Sequence, residues 1–118
     1  YEVRLGRERT SRMNPARTIR DMEIPLALGS DAMPAGVLPG LDALVNSPHD
    51  VQRLTPREAL LGATRDAALA AGDREGGRIA VGCRGDLVLL DRDPMTDPSA
   101  FQGDVAMTLA GGEIVWPR

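Results

Sequence analysis

Asp31 is the carboxylate whose placement most invites a chemical role. It follows the unbroken apolar run Ile24–Leu28 and the two turn-forming residues Gly29 and Ser30. A carboxylate can bind a cation or transfer a proton, but an Asp after such a turn also commonly caps its own backbone. From the residues alone, both roles stay open.

Asp91 and Asp93 form a second candidate, because they follow the apolar run Leu87–Leu90. A hydrophobic strand followed by Asp-x-Asp resembles the nucleophile motif of haloacid-dehalogenase-type phosphatases. Those enzymes have a Thr or Val two places after the second Asp, whereas Thr96 lies three places after Asp93, and they need a Lys that this chain lacks. We therefore expect Asp91, Asp93 and Asp97 to end a strand and keep its exit soluble.

Three further features could be read as functional. His49, between Pro48 and Asp50, is expected to be a solvated loop residue, and Cys83 a small residue at a hairpin turn. Arg84-Gly85-Asp86 spells a cell-adhesion tripeptide, but it precedes a strand in a chain without a recognisable secretory signal. We interpret the tripeptide as a coincidence.

Composition excludes several classes of function. The fourteen basic residues are all Arg, so Schiff-base and phosphate-loop lysine chemistry is absent from this chain. The net charge of −3 is spread along the sequence, which argues against nucleic acid or an anionic membrane as a partner. The single cysteine and the absence of a long apolar run favour a cytoplasmic location.

Helices are predicted mainly in the first half. Thr55 as N-cap, Pro56 at the first helical position and Glu58 as the acid of a capping box predict a helix over 55–71. Asn14 followed by Pro15 predicts a shorter helix, with apolar residues at helical spacing after it. A short helix is expected after the Gly/Pro-rich loop 31–39.

Strands are predicted mainly after Gly76. Ile24–Leu28 is apolar on both faces, as in a parallel strand covered on both sides, but no convincing partner strand accompanies it before Gly76. The tail carries four β-type runs, with Gly111-Gly112 as a two-residue hairpin loop. The runs are Arg78–Val81, Asp86–Leu90, Asp104–Leu109 and Glu113–Trp116. The first half therefore resembles part of something larger.

The order of its motifs identifies the chain as similar to the C-terminal end of the amidohydrolase superfamily, most closely the amidohydrolase-3 branch. Six blocks carry the resemblance across nearly the whole sequence. They are LGRER (5–9), NPARTIRD (14–21), IPLALGSDA (24–32), QRLTPREAL (52–60), GRIAVGCRGDLVLLDRDP (77–94) and VAMTLAGGEIVW (105–116).

This resemblance implies an α/β plus β fold. Residues 1–75 would be the end of a metal-dependent hydrolase (β/α)8 barrel, with Ile24–Leu28 as its last strand and helices on either side. Residues 76–118 would be the C-terminal part of its small β-sandwich, or composite, domain. A barrel of this kind needs about 250 residues, so its other strands would lie outside this sequence.

The resemblance also implies a role for Asp31, at the carboxyl end of the last strand, where such barrels place catalytic residues. There the Asp binds a divalent metal, with zinc the expected ion, and transfers a proton during hydrolysis of a small-molecule amide or cyclic amide. The family's His-x-His pair, bridging Lys or acid, and later His ligands are absent here. One Asp cannot hold a catalytic metal, so we expect the isolated chain to bind none and to be inactive.

Two interpretations of the function therefore remain. The chain is the C-terminal part of an amidohydrolase acting on non-peptide C–N bonds, with Met33–Pro39 as a pocket-lining loop. Alternatively, it is a non-catalytic, β-rich remnant that works by docking or self-association through exposed strand edges and apolar faces. In either case we expect the isolated chain to self-associate.

Overall fold

Short helices dominate the first sixty per cent of the computed structural model, which describes residues 1–30 and 36–117. A 3-10 turn, Asp50–Gln52, lies among them, and another, Pro98–Gln102, lies in the tail of the chain. The α-helices in the described ranges are α1 (Glu2–Leu5), α2 (Arg7–Thr10), α3 (Ala16–Asp21), α4 (Leu38–Val45), α5 (Pro56–Ala63) and α6 (Arg65–Ala70). None of them has the length and apolarity needed to cross a bilayer.

A three-stranded antiparallel sheet forms the tail, in the order β1 (Leu87–Leu90), β2 (Val105–Ala110) and β3 (Glu113–Trp116). Ala110 pairs with Glu113, so Gly111 and Gly112 form a two-residue loop, as predicted. Their φ angles of 60° and 87° are both positive, which is the requirement of the tight turn that matches strand twist.

The capping box predicted at Thr55 is present. The Thr55 hydroxyl accepts a hydrogen bond from the Glu58 N–H, and the Glu58 carboxylate accepts one from the Thr55 N–H at 2.8 Å. The prediction of one continuous helix over 55–71 was wrong. The backbone at Thr64 has φ −120° and ψ −88°, and this break separates α5 from α6.

The core is small and lies among the helices. Leu41 and Val45 of α4 pack with Ala59 of α5, Leu54 and Ala16. Phe101, from the second 3-10 turn, also belongs to this cluster. A core with a single aromatic ring buries little area for its length, in keeping with the scarcity of aromatic residues in the composition.

Two predicted strands are not strands in the structure. Ile24–Leu28 and Arg78–Val81 both lack regular secondary structure. A strand is defined by its hydrogen-bonded neighbours, and the described part of the chain supplies none to either segment. Ile79 is consequently 89% exposed, and Ile24 46%.

The start of α3 also differs from the prediction. Pro15, not Asn14, precedes the first helical residue, and the start of α3 has no side-chain capping hydrogen bond. Asn14 has a φ of 50°, in the left-handed region that Asn tolerates better than most residues. Asn14 therefore turns the chain into the helix rather than capping it.

Candidate functional site

Asp31, the predicted metal-binding and proton-transferring residue, lies outside the described residues. Residues 33–35, the first part of the predicted pocket loop Met33–Pro39, also lie outside them. Within that loop the structure corrects the prediction at its end, because Leu38 and Pro39 form the first turn of α4. Proline is tolerated there, since the first turn of a helix leaves its N–H groups without internal partners.

The segment leading to Asp31 is held by the surface that α5 and α6 form. The Leu28 N–H donates to the Gly62 carbonyl at 3.3 Å, and the Leu26 N–H donates to Asp66 Oδ2 at 3.4 Å. The side chains of Leu26 and Leu28 pack against the core, while Ala27 between them is exposed. The segment thus has one inward side, although it is not in a sheet.

Asp66 is a buried carboxylate with two guanidinium partners. Arg20 Nη1 lies 2.5 Å from Oδ2, and Arg65 Nε donates to Oδ1 at 2.8 Å. Burial alone would raise the pKa of Asp66, but the hydrogen bonds from Arg65, Arg20 and the Leu26 N–H outweigh it and hold that pKa below its ordinary value. Asp66 is therefore ionised at neutral pH and joins α3, α6 and the segment before Asp31.

Neither Asp66 nor Arg20 was recognised from the sequence. A signal was available, because Ala59, Gly62 and Asp66 are spaced three and four residues apart and would share one face of a helix. Ala59 and Gly62 are buried, so a carboxylate on the same face needs a partner from elsewhere in the chain.

Glu58 makes a second ion pair between helices. Its two carboxylate oxygens receive Arg17 Nη1 and Nη2 at 2.8 and 2.7 Å, a bidentate geometry that links α3 to α5. The hydrogen bonds from Arg17, together with those from Thr55, lower the pKa of Glu58 to about 2 against the opposing effect of burial. This pair stabilises the helical part but does not touch the segment before Asp31.

His49 is half-buried rather than fully solvated, which corrects its predicted environment. It borders a hollow of about 300 Å³ whose wall also includes Tyr1 and Gln52. Across the described ranges, no three His, Cys, Asp or Glu side chains come together in a way that could hold a metal ion. These residues by themselves therefore do not fit a catalytic metal.

The Arg84-Gly85-Asp86 tripeptide is tied into the base of the sheet. Arg84 forms ion pairs with Asp73, at 2.7 Å, and with Asp86. Asp86 Oδ1 accepts the Gly111 N–H at 2.8 Å, which braces the hairpin turn. Hydrogen bonds from Arg84 lower the pKa of both carboxyl groups. These contacts give the tripeptide a structural explanation, and Cys83 beside it is a free, partly exposed thiol.

The acidic residues after β1 close turns. Asp93 Oδ1 accepts the Met95 N–H at 2.8 Å, and Asp97 Oδ1 accepts the Ser99 N–H at 2.9 Å and the Ser99 hydroxyl at 2.6 Å. These are local side-chain-to-backbone bonds of the kind that Asp makes in turns. They agree with the prediction that Asp93 and Asp97 end the strand region.

Comparisons with a family model and with known proteins point to the same family. A family model described as "Amidohydrolase family" matches residues 1–116. The chain is 38% identical over 115 residues to an imidazolonepropionase of Ectopseudomonas mendocina (strain ymp), covering 93% of this chain and 28% of that protein. It is 40% identical over 84 residues to one of Ruegeria sp. (strain TM1040), covering 70% and 21%. A third, from Paracoccus denitrificans (strain Pd 1222), is 35% identical over 111 residues, covering 91% and 28%.

The chain spans only about a quarter of the length of these relatives, 28%, 21% and 28% in turn. The family model nevertheless matches residues 1–116, nearly the whole of this chain, as the six motifs also do. The chain belongs to the amidohydrolase family, in its amidohydrolase-3 branch.

Proposed function

We propose that this chain is the C-terminal part of a metal-dependent amidohydrolase that hydrolyses non-peptide C–N bonds. The observation that carries the proposal is the family match over residues 1–116, combined with relatives of which the matched part is only 28% of the length. In this proposal residues 1–75 end a (β/α)8 barrel and residues 76–118 complete its β-sandwich domain. The location is cytoplasmic, as the single cysteine favours.

The substrate class we propose is a small cyclic amide. The relatives are named imidazolonepropionase, and an imidazolone ring contains an amide bond within the ring. A ring-opening hydrolysis of this kind breaks a C–N bond that is not a peptide bond. An open-chain amide is the alternative substrate within the same reaction class.

Asp31 is the residue through which this chain would contribute to the metal site, with zinc as the proposed ion. A catalytic zinc needs about three protein ligands, and the described residues do not assemble them. The remaining ligands would come from parts of the parent protein outside this sequence. It follows that the isolated 118-residue chain should bind no metal stoichiometrically and should be inactive.

The test is hydrolysis of a cyclic amide by the whole parent protein and by its Asp31→Asn variant. Loss of a proton-transferring carboxylate typically lowers a rate by about 10²–10⁴-fold, and we expect a fall in kcat within that range. Asp50→Asn is the matched control, because Asp50 is 80% exposed and its ion pair within the described part of the chain is with the surface residue Arg53. An Asp31→Asn enzyme as active as Asp50→Asn would contradict the proposal.

A second candidate function, docking or self-association without catalysis, is favoured by the exposed apolar side chains of the sheet. Val88, Ile114 and Trp116 are each more than half exposed. Both β1 and β3 are edge strands of the described sheet, and unpaired edges readily accept another strand. An inactive whole protein that associates through this sheet would support this candidate over hydrolysis.

A further inference from the structure

We infer that the connection between β1 and β2 is a strap through which the sheet depends on the helical part for its stability. The strap, residues 91–104, contains the second 3-10 turn, Pro98–Gln102. Its consequence is that the sheet and the helices of this chain open as one unit. The inference uses described residues alone and does not rest on the proposed hydrolysis.

The first support is that the sheet has no buried core of its own. The structure shows every residue of β1, β2 and β3 as exposed or partly exposed. A small sheet becomes independently stable when it buries an apolar face or packs against a helix. The apolar side chains Val88 and Trp116 are exposed, so the strands do not supply that burial.

The second support is the placement of the buried residues of the tail. Among the side chains that the structure describes in residues 76–117, those of Ala100 and Phe101 are buried, at 0% and 2% exposure. Both belong to the strap. The burial that stabilises the tail therefore comes from the connection between two strands and not from the strands themselves.

The third support is the partner of this turn. The second 3-10 turn packs against α4, the most extensive contact between a tail element and a helix among the described residues. Phe101 joins Leu41 and Val45 of α4 in the helical core, and an aromatic ring buries a large area. Gln102 Nε2 donates to Asp42 Oδ1 at 2.9 Å at the exposed rim. The buried ring is thus the main anchor.

The strap is also shaped by contacts within itself. Asp97 Oδ1 accepts the Ser99 N–H at 2.9 Å and the Ser99 hydroxyl at 2.6 Å, which caps the 3-10 turn. At the ends of the strap, the Asp91 N–H donates to the Asp104 carbonyl at 3.3 Å. A segment that is ordered by its own bonds loses less conformational entropy when its ring enters the core.

This arrangement predicts that damage to the helical core is transmitted to the sheet. Among the described residues, no residue of the three strands belongs to the core cluster, whereas Phe101 does. Amide hydrogen exchange distinguishes the two cases, because it reports whether segments open separately or together. In the unaltered chain we expect the amides of β2 and of α5 to exchange through the same opening.

The experiment measures this exchange by mass spectrometry in the 118-residue chain, at a dilution where light scattering shows no association. Leu54→Ala truncates a core residue that is 4% exposed, whereas Met95→Ala truncates a strap residue that is 49% exposed. We expect Leu54→Ala to speed exchange in α5 and in β2 by the same factor, about 10²-fold or more. Met95→Ala should leave both unchanged. Faster exchange in α5 with unchanged exchange in β2 would overturn the inference.

A second pair of variants tests the anchor itself. We expect Phe101→Ala to remove protection from β2 at least as strongly as from α5, because the sheet then loses its buried ring. Phe101→Leu keeps an apolar anchor and should retain much of that protection. If a truncation to Ala leaves the chain unfolded, Leu54→Val and Phe101→Leu give the same comparison at a smaller loss. Protection in β2 that Phe101→Ala leaves unchanged would contradict the role of the strap.

Discussion

Glu58 uses one carboxylate for two purposes, since it caps the start of α5 and binds Arg17 of α3. Both contacts favour the ionised form, which is why its pKa falls to about 2. Because this pKa is lower than its unfolded value of about 4.5, the stabilisation is complete above pH 4.5 and is lost as the pH falls towards 2.

We therefore expect Glu58→Gln to lower the free energy of unfolding at pH 7 by about 1–3 kcal/mol, allowing for solvent at this quarter-exposed pair. The difference from the unaltered chain should shrink between pH 4.5 and pH 3. Urea unfolding at several pH values measures it. Asp50→Asn, at an exposed pair, should show a much smaller effect, and a pH-independent loss for Glu58→Gln would contradict this explanation.

Among the elements, the β2–β3 hairpin depends on backbone conformation at Gly111 and Gly112. Both have positive φ, and the Gly112 N–H also donates to the Gly85 carbonyl at 2.9 Å. A left-handed conformation costs an ordinary residue about 1–2 kcal/mol, whereas Asn tolerates it. Backbone conformation, and not lack of space, therefore restricts which residues position 111 accepts, because a Cβ at Gly111 meets no atom within 4 Å.

We expect Gly111→Val to destabilise the protein by about 1–2 kcal/mol and Gly111→Asn to be nearly neutral. Thermal unfolding of the two variants beside the unaltered chain measures this difference. Equal Tm values for the Val and Asn variants would show that the turn does not need a left-handed residue at this position.

How far the sequence predicts an element depends on how local its causes are. Thr55, Pro56 and Glu58 cap a helix through contacts within four residues, so the start of α5 could be predicted. Gly111-Gly112 likewise sets its own turn. The strand prediction for Ile24–Leu28 failed because a strand needs hydrogen-bonded neighbours. The strands in the described part of the chain pair with one another and not with this segment. Asp66 was missed for a related reason, since its partner Arg20 is 46 residues away.

For the molecule as a whole, apolar surface left exposed on the sheet predicts association. Val88 and Trp116 are both paired with Thr108 of β2, so they lie on one face, and each is more than half exposed. Contiguous exposed apolar surface on a soluble domain marks a contact site or an aggregation hazard.

We expect light scattering of the isolated chain to show an apparent mass that rises with concentration. Replacing both Val88 and Trp116 by Thr, which keeps a strand-favouring residue at each place, should weaken this association. Gln102→Thr offers a control away from the sheet. A concentration-independent monomer would rule out association through this face.

The assignment of Asp31 as a metal ligand is the claim on which the account of function depends. Its most direct test is the metal content of the whole parent protein, purified unaltered, as Asp31→Asn and as Asp50→Asn. We predict stoichiometric divalent metal in the unaltered and Asp50→Asn proteins and a clear loss in Asp31→Asn. Full metal content in Asp31→Asn, or none in the unaltered protein, would contradict the assignment.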